Sequence, residues 1–129
     1  MTWPAWILAV DDNADNRNLV RQLCAHLGYG SREAADGLEA MRLARAERPD
    51  LIVMDLALPY LDGWEATARL KADPATRGIP VVAVSAHVTR ADRERALAAG
   101  CVEFLPKPIE LEGFRSMLAR YLAPGDPER

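Results

Sequence analysis

Three carboxylates, a hydroxyl and an ammonium stand where four short apolar runs of this 129-residue chain come to an end. Asp11 and Asp12 follow the run at residues 7–10, Asp55 that at 51–54, Ser85 that at 81–84, and Lys107, past Pro106, that at 102–105. Each alone has a plain role. An Asp pair after a strand is an ordinary N-cap, Ser85 a capping hydroxyl, Lys107 a solvated side chain. Converged, they do chemistry. Three carboxylates within a few ångströms repel one another and are costly beside apolar strands unless a hard cation sits among them. All-oxygen ligands suit Mg²⁺, with Mn²⁺ as a substitute, and Mg²⁺ takes one or two carboxylates plus phosphate oxygens. With that charge cancelled, one carboxylate can attack phosphorus while Lys107 and Ser85 hold the other phosphoryl oxygens. Phosphoryl transfer asks mainly for positioning and electrostatic stabilisation, so no separate base is needed.

The elements that carry these residues must therefore present them at one edge. The runs at 7–10, 51–54 and 81–84 read as continuously buried strands, the run at 102–105 is broken by Glu103, and a weaker candidate lies at 31–35. Helical spacing fills the gaps: Leu19, Leu23, Leu27; Leu38, Met41, Leu43, Ala46; Trp64, Thr67, Ala68; Ala91, Leu97, Ala98; and Leu111, Phe114, Met117, Leu118, Tyr121. Asp36 before Glu39, Asp62 before Glu65 and Thr89 before Asp92 place a capping oxygen three residues ahead of a carboxylate. Gly28, Pro49 and Gly100 supply stops. Five strand–helix alternations predict an α/β fold, a doubly wound five-stranded parallel (βα)₅ sheet with helices on both faces. Ligands of such sheets bind outside the carboxyl ends of the strands, where the five chemical residues fall.

Half of the residues are hydrophobic, enough for one core, and the formal net charge of -3 with no basic block argues against binding to nucleic acid. Residues 1–122 read as one domain, residues 73–80 as a surface loop, and 123–129 as a disordered tail. The stretch after Lys107 suffices for one helix and that tail, so no DNA-binding output domain is expected. Cys24 and Cys101 lack zinc or disulfide spacing and are expected to be reduced. The start has no basic flank and its apolar stretch stops at Asp11, which excludes a signal peptide or membrane span there and suggests the cytoplasm.

In order and spacing, Val10-Asp11-Asp12-Asn13, Met54-Asp55-Leu56-Ala57-Leu58-Pro59, Asp62-Gly63, Val84-Ser85-Ala86 and Lys107-Pro108 resemble the response-regulator receiver domains of two-component signalling, of the single-domain chemotaxis or cell-cycle type. The likeness covers nearly the whole chain. It implies the flavodoxin-like receiver fold, Asp55 as phosphoacceptor, and a Mg²⁺ site made by Asp55, Asp12, Asp11 mainly through water, and the carbonyl of Ala57. It implies Ser85 and Lys107 as phosphoryl ligands, a cis Lys107-Pro108 bond, and Ser85 with Phe104 as switch residues, ring burial supplying roughly 1.5–3 kcal/mol. The donor would be a sensor histidine kinase or a histidine phosphotransfer protein. The signal would leave as protein contact at the face of the fourth helix, fifth strand and fifth helix, from a monomer or a weak phosphorylation-dependent dimer. Such a chain is a switch that catalyses only its own phosphorylation and dephosphorylation, and bacterial in type.

Three departures from the commonest family pattern stand out. Ser85 replaces threonine, Phe104 lacks a tyrosine hydroxyl, and Ala57 has no side chain to orient an attacking water, which bears on the lifetime of the phosphoryl group. A receiver carried by a hybrid histidine kinase would read the same. An aspartate-nucleophile phosphatase would need a second Asp where Ala57 stands, and a flavodoxin-like cofactor binder would not place Asp11, Asp12 and Asn13 against a phosphate. His26 reads as a surface residue, His87 as a loop residue near the site, Arg90, Arg93 and Arg95 as a solvated or partner-binding face, and Trp3 and Trp6 as a cover for the bottom of the sheet.

Overall fold

The structure is a computed structural model that describes residues 5–86 and 89–122; Trp3, His87 and the expected tail at 123–129 lie outside the described residues. Strands β1 (Trp6–Val10), β2 (Gly30–Ala34), β3 (Leu51–Asp55), β4 (Val81–Ser85) and β5 (Glu103–Pro106) alternate with helices α1 (Ala14–His26), α2 (Gly37–Glu47), α3 (Gly63–Ala72), α4 (Arg90–Ala99) and α5 (Leu111–Tyr121). All four strand pairings are parallel, in the order β2-β1-β3-β4-β5. β3 is therefore central, which accounts for a run in which all five residues are buried.

Alternate strand residues feed two cores. Leu8, Val10, Ile52, Met54, Val81 and Ala83 pack with α2, α3 and α4. Ile7, Ala9, Leu51, Val53, Val82 and Val84 pack with α1 and α5. The caps behave as the sequence predicts: Asp36, Asp62 and Thr89 accept from the backbone N–H three residues on, and Gly100 closes α4 at φ 112°. Pro106 ends the edge strand β5, where its missing N–H costs no ladder bond.

Helix faces differ from the leucine-based expectation. In α1 the buried residues are Val20 and Cys24, with Leu19 exposed, and in α2 Leu38 is exposed while Ala40, Leu43 and Ala44 are buried. Ala91, Leu97 and Ala98 of α4 all face out, and only Ala96 is buried. The reason is steric. Small side chains let these helices seat close to the sheet, and α4 lies against α3 and β5 through Ala96. Both cysteines are buried, unpaired thiols. Among the described residues no helix is long and apolar enough to cross a membrane.

Candidate functional site

The β1–α1 junction settles which side chain caps the helix. Asn13 Oδ1 accepts from the N–H groups of Asp15 (2.8 Å) and Asn16 (3.1 Å), so neither neighbouring aspartate is spent on capping. Asp11 extends the β1–β2 ladder by one bond, its N–H donating to Ala34 O at 3.1 Å. Its buried carboxylate accepts from Asn13 N–H at 2.9 Å through Oδ1 and from Lys107 Nζ at 3.0 Å through Oδ2. Asp12 is exposed.

Asp55 ends the central strand and is only 4% exposed. Oδ1 accepts from Ala57 N–H at 3.1 Å, and Oδ2 lies 3.3 Å from Lys107 Nζ. The strand end is pressed against α3: Gly63 N–H donates to Leu56 O at 3.1 Å, and a Cβ at position 63 would stand 2.4 Å from the Asp55 carbonyl oxygen. Only glycine permits that approach, which explains the Asp62-Gly63 pair as cap followed by wedge. One carboxylate oxygen each from Asp11, Asp12 and Asp55 falls within 4.8 Å of the others. A compact set of three hard oxygen donors fits a hard divalent cation such as Mg²⁺.

Lys107 follows Pro106, and its backbone N–H donates to Ser85 O at 2.9 Å, which ties the β5 exit to the end of β4. The Lys107-Pro108 peptide is cis. Burial pushes the Asp55 carboxyl up, Asp11 adds to the rise, and the Ala57 N–H and Lys107 oppose it; the net direction is upward. For the Lys107 ammonium burial acts downward, but the hydrogen bond to Asp11 and the charge of Asp55 outweigh it, so the net direction is upward as well. A cavity of about 310 Å³ opens beside these groups, with Asp11, Asp55 and Lys107 at its polar end and Val20, Val53 and Ile109 among its apolar walls.

The structure thus brings together Asp11, Asp12, Asp55 and Lys107, with Ser85 joined to Lys107 through the backbone. Phe104 lies apart in the α2–α4 core, 8% exposed, with the Arg93 guanidinium carbon 5.9 Å from its ring centroid. So little exposure leaves an inward swing of the ring almost no further burial to gain. His26 is exposed in the last turn of α1, away from the carboxylates in sequence and element. Trp6 opens β1 at the opposite end of the sheet, partly buried against the α2–α4 core, its backbone N–H donating to Asp50 Oδ2 at 2.8 Å. Arg90 pairs with Glu94, whereas Arg95 stacks on Trp64 of α3 at 4.0 Å. Sequence reasoning missed that stack, and also Arg17, which donates to the Asp11 carbonyl at 2.7 Å. Neither has a local signal, because the partners belong to other elements or other turns.

Residues 7–119 match the response regulator receiver domain family. The chain is 42% identical over 119 residues to the polar-differentiation response regulator DivK of Brucella anthropi, covering 92% of this chain and 97% of the relative. Among solved structures, the chemotaxis protein CheY4 of Vibrio cholerae superposes with a TM-score of 0.87 at 28% identity, over 92% of this chain and 99% of that one. The receiver domain of the sensor histidine kinase PA1611 of Pseudomonas aeruginosa PAO1, solved with magnesium coordinated in its active-site cleft, gives 0.85 at 36% identity, over 92% and 97%.

Proposed function

The chain belongs to the response regulator receiver domain family, a family of two-component signalling switches, and we propose that its switch is thrown by phosphorylation of Asp55 from a phosphohistidine. The observation that carries this reading is the buried Asp55 carboxylate at the end of the central strand, between the Lys107 ammonium and the Asp11–Asp12 pair. An Asp55 oxygen attacks the phosphorus, the bond from phosphorus to the donor imidazole breaks, and its electron pair leaves with the imidazole. Lys107 moves N–H donors from the two carboxylates to phosphoryl oxygens, and the Ser85 hydroxyl adds a neutral donor. Asp11, Asp12, Asp55 and the carbonyl of Ala57 would hold the cation. Bound there, Mg²⁺ or Mn²⁺ supplies positive charge that offsets the carboxylates and the incoming phosphoryl oxygens. Ala57 offers hydrolysis no group to orient water.

The donors that fit are a sensor histidine kinase or a histidine phosphotransfer protein, in the cytoplasm. The likeness to a kinase-borne receiver favours one variation, in which the same acceptor chemistry serves a hybrid histidine kinase. Output follows from contact at the α4–β5–α5 face, where Leu97 and Val102 are exposed. There the Ser85 hydroxyl and Phe104 couple phosphoryl group to surface, the exchange at the ring being of its Arg93 cover rather than of solvent exposure. Incubation with a histidine-phosphorylated donor and Mg²⁺ should label the wild type and leave Asp55→Asn blank. Label at normal yield on that variant would overturn the assignment.

A further inference from the structure

Arg17 sits one turn into α1 with its side chain only 18% exposed, and its guanidinium forks between two acceptors. One terminal N–H donates to the backbone carbonyl of Asp11 at 2.7 Å, and Nε–H donates to Glu33 Oε1 on β2 at 3.0 Å. Glu33 is held in turn by Arg21, 3.2 Å from its other oxygen. The Asp11 carbonyl belongs to the peptide that joins Asp11 to Asp12. A charge-assisted bond to it fixes the plane from which both carboxylates depart. Asp11 is further restrained through its own N–H and its carboxylate, whereas the exposed Asp12 follows wherever that peptide points.

We infer that Arg17, anchored by Glu33, is a positioning residue for the cation site: it sets the affinity of the Asp11, Asp12 and Asp55 group for a divalent cation without touching the ion. The inference rests on reading that group as a Mg²⁺ site. Outer groups that orient ligands commonly govern metal affinity by 10- to 100-fold. The arrangement also eases a conflict of charge. A bare guanidinium lining the same cavity as Asp11 and Asp55 would repel a cation, but Glu33, which Arg17 shares with Arg21, offsets part of that charge, so the site keeps the hydrogen bond at reduced repulsion.

This conflict makes the sign of the effect diagnostic. If Arg17 acted only as a charge, its removal would tighten Mg²⁺ binding. If it were merely structural, its removal would change melting and leave the affinity of the folded fraction alone. If it positions Asp12, its removal weakens Mg²⁺ binding. The test is calorimetric titration of Mg²⁺ into the intact protein at fixed ionic strength, with thermal melts of each variant in parallel. Arg17→Gln should raise the Mg²⁺ Kd about tenfold. Arg17→Lys keeps the charge but cannot fork to two acceptors, and should fail to rescue. Glu33→Gln should weaken binding in the wild-type background and add nothing in Arg17→Gln, since it acts through Arg17. Unchanged or tighter Mg²⁺ binding by Arg17→Gln overturns the inference. Should that variant not fold, normal affinity in Glu33→Gln overturns it instead. A wild-type protein that does not bind Mg²⁺, or binds it equally well as Asp12→Asn, overturns the underlying reading of the carboxylates.

Discussion

The Lys107 ammonium lies 3.3 Å from Oδ2 of Asp55, and it is the positive group set between that carboxylate and Asp11. Folding therefore forces together charges that the unfolded chain keeps apart.

Asp55→Asn should be more stable than the wild type at neutral pH in chelator. Burial raises the Asp55 carboxyl above its unfolded value, so the folded protein holds that proton more tightly than the unfolded one. The group's stabilising contribution is then complete below the unfolded value and lost as pH rises through the folded one. The advantage of Asp55→Asn should accordingly shrink as pH falls from 7 toward 4. Lys107→Met should act in the opposite direction, lowering stability by about 1–3 kcal/mol as its partners lose their donor. Urea denaturation in EDTA at several pH values measures both, and a less stable Asp55→Asn at pH 7 would contradict the account.

Labelling from a phosphohistidine donor should stop in EDTA and resume with Mg²⁺ or Mn²⁺. Asp12→Ala should lose about two orders of magnitude in labelling rate, a loss typical of deleting one preorganised stabilising group. Phosphate-affinity electrophoresis over time reads the rate, and wild-type labelling by Asp12→Ala would remove that residue from the cation site.

Gly63→Ala should cost about 1–3 kcal/mol, since the new methyl meets the Asp55 carbonyl oxygen at 2.4 Å and the Leu56 Cα at 2.7 Å. The strand end must retreat, so labelling should slow as well. Gly78→Ala is the control, because a Cβ there meets nothing within 4 Å. Equal stability of the two variants would show that the α3 wedge is not rigid.

Phe104→Leu should leave labelling of Asp55 largely intact while reducing the gain in partner affinity that beryllofluoride produces, and Arg93→Ala should reduce it too. The ring lies beneath Arg93 on the proposed output face, and linked equilibria are reciprocal, so a partner that senses the ring must sense the phosphoryl group. The partner is first recovered by pull-down on the beryllofluoride-treated protein, and its affinity is then measured with and without the mimic. An undiminished gain in Phe104→Leu would take the ring out of the mechanism and leave the backbone at Ser85 as carrier.

Strand ends are legible in this sequence because both faces of β1, β3 and β4 are buried, which leaves uninterrupted apolar runs closed abruptly by a charged or hydroxyl residue. β5 is shifted by one residue from its apolar run: its pairing with β4 begins at Glu103, and Val102 before it is 39% exposed. Helix faces are harder to read. Leu19, Leu38 and Leu97 outrank Cys24, Ala40 and Ala96 in hydrophobicity, yet close packing on a sheet favours the small residues. At the site, residue types at strand ends carry the carboxylates and Lys107, whereas Arg17 and the Arg95–Trp64 stack depend on contacts that local periodicity does not encode.

The bond from Lys107 to Asp11 spans 96 positions of the chain. During synthesis, therefore, the three acidic side chains are finished long before their counter-ion exists. Strands β3, β4 and β5 each add to the edge of what has already emerged, and β5 comes last. On the proposed assignment, a nascent chain that has reached only α4 carries the Asp55 carboxylate but lacks the Lys107 ammonium that would bind the phosphoryl oxygens. On that assignment, competence to be phosphorylated waits for the last strand and the residue that follows it.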